Sequence, residues 1–162
     1  MDRRRTGGMT AIAVLNIAFG GLHILKGLFQ LLGSLDLIYE LSRVGVFEIP
    51  VAGLAFSLLL LAAGVIGLIA GIGMLAPRPW ARALSLVFGG LLIASVVFSF
   101  YMVPIIATIG TYNINSIDGY DLARLIIFTL IYVVFPVLYS IILFIVFFKP
   151  AWKAAFAKDS TA

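Results

Sequence analysis

Four apolar stretches, residues 9–32, 51–76, 83–103 and 125–148, constrain this chain more than anything else in it. A helix rises 1.5 Å per residue, so about 20 apolar residues span a hydrocarbon core about 30 Å thick. Each stretch is long enough, and only the first contains a charge, Lys26. Of the 162 residues, 63% are hydrophobic and 11% charged, whereas a soluble domain carries about 25% charge. Lipid is therefore the expected solvent. "MDRRRTGG" ahead of the first stretch resembles the start of a secretory signal, but the stretch exceeds an h-region and no A-x-A-type site follows it. It is read as a membrane span.

The charges outside the stretches sort by sign. Arg3, Arg4, Arg5, Arg78, Arg82, Lys149, Lys153 and Lys158 fall on one side, while Asp36, Glu40, Glu48, Asp118 and Asp121 fall on the other with Arg43 and Arg124. Basic residues mark the cytoplasmic face, so both termini are expected inside. The formal net charge of +4 then reflects orientation, and nucleic acid is excluded as a partner. The expected fold is an all-α membrane protein: one domain of four transmembrane helices in an up-down-up-down bundle. Its outer loops cover 33–50 and 104–124, and its inner turn covers 77–82. In "SLDLIYELSRV", Asp36, Glu40 and Arg43 share one helical face and apolar residues the other. That pattern fits a helix lying in the headgroup layer or an extension of the first span. Asp118 and Asp121 read as an N-cap into the fourth helix rather than a catalytic pair.

Two turns echo each other. "RPWARAL" follows the second stretch and "KPAWKAAF" the fourth, with Trp80 and Trp152 lying 72 residues apart. The echo reads either as two repeated helical hairpins or as ordinary interface anchoring by Arg78, Trp80, Arg82, Lys149, Trp152 and Lys153. "GIGMLAPRPWARAL", Gly71 to Leu84, resembles the turn of small, uncharacterised bacterial four-span inner-membrane proteins, in which a glycine-rich span ends in a basic Pro-Trp turn. The resemblance implies a bacterial inner-membrane location and four-span topology, and it brings no catalytic residues with it.

The first stretch carries a polar stripe. Asn16, His23 and Gln30 are seven residues apart, a spacing that drifts only about 20° per step, and Gly20 and Gly27 fall between them on the same face. Lys26 stands about 60° to the side. Counting about 1.5 Å per residue from Thr10, Asn16 lies about 9 Å deep, His23 about 20 Å and Lys26 about 24 Å. The long lysine stem can snorkel outward, which leaves Asn16 and His23 to find buried partners. On the fourth stretch Thr129, Pro136 and Ser140 share a face, flanked by Tyr132 and Tyr139. The antiparallel run puts Tyr132 level with His23 and Tyr139 level with Asn16, so those two pairs are expected to meet. Gly20, Gly27, Gly64, Gly67, Gly71, Gly89 and Gly90, with Ala63 and Ala94, are expected to let helix backbones approach.

The chemistry excluded is broad. There is no cysteine and one histidine, so a thiolate, zinc or two-ligand haem site lacks donors within the chain. No metal or other cofactor is expected. No nucleophile elbow, P-loop, dinucleotide fingerprint or HExxH occurs, and "GLIAGIG" falls in mid-membrane, where it serves helix packing. No acidic residue lies in the middle of a span, which argues against a proton-coupled exporter. His23 reads first as a packing residue and second as a site for a polar head or a proton; apolar surroundings favour the neutral imidazole. The leading function is a non-enzymatic integral-membrane subunit that packs against the lipid bilayer, other membrane proteins or copies of itself. The alternative is a small oligomeric carrier or channel with a pocket at Asn16, His23 and Lys26 for a small anion, lipid or quinone.

Overall fold

The computed structural model describes residues 7–42, 48–76, 78–109, 127, 129–150, 152 and 156. All but Ala76, Arg78 and Lys149 of these are helical, and none is in a strand. Helix α1 runs Gly7–Ser42, α2 Glu48–Leu75, α3 Pro79–Ile109 and α4 Phe135–Phe148, the last entered through a π-turn, Leu130–Val134. Within α1, α2 and α3 the segments Gly7–Asp36, Val51–Leu75 and Pro79–Phe100 are each long and apolar enough to cross a membrane. Helix α4 is equally apolar but has 14 residues. The stretch through Asp36 and Tyr39 is a direct continuation of α1, which resolves the alternative left open there in favour of an extended first helix. The loop carrying Asp118 and Asp121 lies outside the described residues.

The turn between α2 and α3 follows from its glycine and prolines. The Arg78 N–H reaches back to the Gly73 carbonyl at 3.1 Å, closing the end of α2, as C-terminal motifs commonly do. The Arg78 carbonyl then accepts from the Ala81 N–H at 3.0 Å. Pro79 occupies the first position of α3, where its missing N–H costs nothing.

Helices α1 and α2 pack antiparallel along a glycine seam. A Cβ added at Gly20 would lie 2.7 Å from the Leu68 nitrogen and 2.8 Å from the Gly64 oxygen, and one at Gly71 would lie 2.8 Å from the Ala13 oxygen. Nothing larger than hydrogen fits between those backbones, which is the role small residues play in bilayer helix contacts. Further along, Gly27 faces Leu61 and Gly53 faces Ser34. Gly67 instead receives the Phe88 ring, so α3 closes over the same seam. Gly89 makes only ordinary contact with Leu143, and a Cβ on Gly90 would meet nothing within 4 Å. Gly90 and the exposed Ala94 therefore face outward, contrary to the packing role expected of them. The buried core gathers Ala13, Ala63, Met74, Phe88, Leu92, Leu143 and Phe147 from all four helices.

Candidate functional site

At one end of the molecule the start of α1, the turn before α3 and the end of α4 come together. A Cβ on Gly8 would lie 3.5 Å from the Trp152 ring, Trp152 meets Phe147 edge-on at 5.5 Å, and Arg82 Nε donates to the Phe147 carbonyl at 3.3 Å. Trp80 packs on Gly73. Arg78, Trp80 and Lys149 are exposed beside them, and Lys153 lies outside the described residues.

One level in, Asn16 organises a buried knot. Its Nδ2 donates to Ser85 Oγ at 2.9 Å and points at Met74 Sδ at 3.5 Å, while its Oδ1 accepts from the Tyr139 hydroxyl at 2.7 Å. Asn16 and Ser85 are fully buried and Tyr139 nearly so. The amide thus ties α1 to α3 and α4, and the Tyr139 ring stacks on Phe19 at 4.6 Å. Asn16 and Tyr139 meet as their depths predict. Ser85 and Met74 were not anticipated; Ser85 was legible as a hydroxyl at the start of an apolar stretch. Ser140 adds a second tie, placing its hydroxyl 2.8 Å from the Pro136 carbonyl and 3.0 Å from that of Gly89.

The other half of the stripe is built differently. His23 Nδ1 bonds the Phe19 carbonyl of its own helix at 2.9 Å, and the ring stands edge-on to Phe88 at 6.2 Å. The Tyr132 side chain, its expected partner, lies outside the described residues. Lys26 sends Nζ over the Phe56 ring of α2, 5.6 Å from its centre. Because Gly27 faces Leu61 and Ser34 faces Gly53, Phe56 lies toward the end where α1 gives way to α2, and the stem runs that way against protein. Beside these two residues is a cleft of about 530 Å³ between α1 and the fourth helical segment, lined by Phe19, Leu22, His23, Leu25, Lys26, Phe29, Ile131, Phe135 and Pro136. Asn16 is not part of it.

Pro136 and the π-turn hold the cleft apart. Proline has no N–H to give the preceding turn, and the Phe135 N–H bonds Leu130 O, five residues back. Such a turn holds one residue more than an α-turn and rotates what precedes it by up to about 100°. Thr129 is accordingly exposed while Pro136 and Ser140 are buried, so the single face expected of the three does not exist.

Among the described residues no group of three His, Cys, Asp or Glu side chains could hold a metal ion. No protein-family model matches the chain, and neither a curated protein nor a solved structure shows significant similarity to it.

Proposed function

We propose that the chain crosses a bilayer four times with both termini on the cytoplasmic side, as a non-enzymatic subunit of a helical membrane assembly. It packs as an up-down-up-down bundle against other integral membrane proteins or copies of itself. Four crossings are supported by residues 129–148, a continuous helical backbone about 30 Å long at 1.5 Å per residue. The orientation is supported by the grouping of Arg78, Trp80, Arg82, Lys149 and Trp152 at one end, the distribution expected of a cytoplasmic face. The paired Pro-Trp turns support reading the chain as two hairpins, and the bacterial inner membrane is the location their resemblance implies.

The subunit reading is carried by the Asn16 knot. A fully buried amide gives both of its ends to neighbouring helices, and no buried side-chain nitrogen or oxygen among the described residues lacks a hydrogen-bond partner. Polar groups used in this way fix helix register. Extraction in a mild detergent followed by mass measurement tests this: a higher oligomer or a co-purifying membrane polypeptide is expected. A bare monomer would end the reading. A second reading, a small carrier, is favoured by the cleft beside His23 and Lys26.

A further inference from the structure

His23 is 6% exposed, and its ring makes one hydrogen bond among the described residues, through Nδ1 to the Phe19 carbonyl. A carbonyl accepts and cannot donate, so Nδ1 carries the proton and a neutral imidazole keeps its lone pair on Nε2. No buried side-chain nitrogen there is left without a partner, so Nε2 reaches accessible surface. His23 lines the cleft. The cleft floor therefore presents a hydrogen-bond acceptor in apolar surroundings. Lys26, three residues on, lines the same wall, and its Nζ lies over the Phe56 ring of α2.

We propose that this cleft binds an amphiphile whose head is an aromatic hydroxyl, a phenol or hydroquinone, with an apolar tail. The hydroxyl donates to His23 Nε2. A phosphate diester or carboxylate has no O–H to offer and would set its lone pairs against that of Nε2. Phe29 and Phe135 supply aromatic walls, which favour stacking of a ring over an aliphatic alcohol. Leu22, Leu25 and Phe29 are 59%, 55% and 74% exposed, so the rim is open to lipid and a tail can enter sideways. The volume, about 530 Å³, falls within the range of small-molecule sites. This inference rests on the carrier reading's cleft and not on the subunit reading, whose test is a mass.

The single histidine allows a direct test. In the full-length protein labelled with 15N-histidine in lipid nanodiscs, 4-decylphenol is expected to move the Nε2 resonance saturably and leave Nδ1 bonded. Its methyl ether, 4-decylanisole, is expected to bind about fivefold more weakly, the worth of one hydrogen bond, and to leave Nε2 in place. Leu22→Trp, at the lipid-facing rim, should block entry without touching the core. No saturable shift with the phenol, an equal shift with the ether, or a tighter response to didecyl phosphate would each overturn the assignment.

Discussion

The two halves of one polar stripe have opposite fates. Around Asn16, four helices close on a side chain whose every polar atom is used, and Phe19, Tyr139, Phe88 and Phe147 fill the remaining space. Around His23, one heptad along the same helix, a cleft separates α1 from the fourth segment, and among the described residues the side chain bonds only its own backbone. Identical spacing on α1 thus gives a joint in one place and a gap in the other. What differs is the partner helix: Tyr139 and Ser140 lie in regular α-helix, whereas the cleft side begins at Pro136 and the π-turn. A polar stripe fixes which face points inward, and the opposing backbone fixes whether anything is left to fill.

That contrast can be broken at four points, the largest first. Gly20→Leu would force apart backbones already in contact and is expected to cost about 3 kcal/mol, read by detergent-titrated unfolding followed by circular dichroism. A loss near zero would show that the seam gives way. In the closed half, the double-mutant cycle of Asn16→Leu and Tyr139→Phe should give a coupling of about 1 kcal/mol, near the upper part of the range for interhelical bonds in bilayers. Additive effects would mean that the 2.7 Å contact contributes no net stability. Gly90→Ala should gain about 0.5–1 kcal/mol, since the site is open and glycine weakens a helix interior. A loss there would reveal a neighbouring chain on that face. His23→Phe, in the open half, should change stability by less than about 0.5 kcal/mol. A loss as large as that of Asn16→Leu would erase the distinction between the halves.

Much of this was readable from spacing. The lengths of the apolar stretches, the seven-residue period through Asn16 and His23, and the depth match between Asn16 and Tyr139 all depend on helical geometry alone, which lipid does not perturb. The rotation of α3 was not readable. In water, a buried face is apolar and an exposed one polar, but lipid is as apolar as leucine, so hydropathy does not tell a packed face from a lipid-facing one. Gly89 and Gly90 illustrate this: adjacent and identical, one faces Leu143 and the other faces outward. Lys26 was expected to snorkel, and its Nζ lies over Phe56, a partner that becomes visible only once the α1–α2 register is known. Thr129 failed for a different reason, because a constant 100° per residue was carried through a turn that is not α-helical.

The width of the gap beside His23 is consequently a matter of chain length rather than of side-chain identity. One supernumerary residue between Leu130 and Val134 sets the azimuth of everything upstream in that segment. Deleting one residue there would swing Thr129 inward, bring the fourth segment back into phase with α1, and convert a receptive molecule into a solid one while leaving the α1 side of the gap as it is.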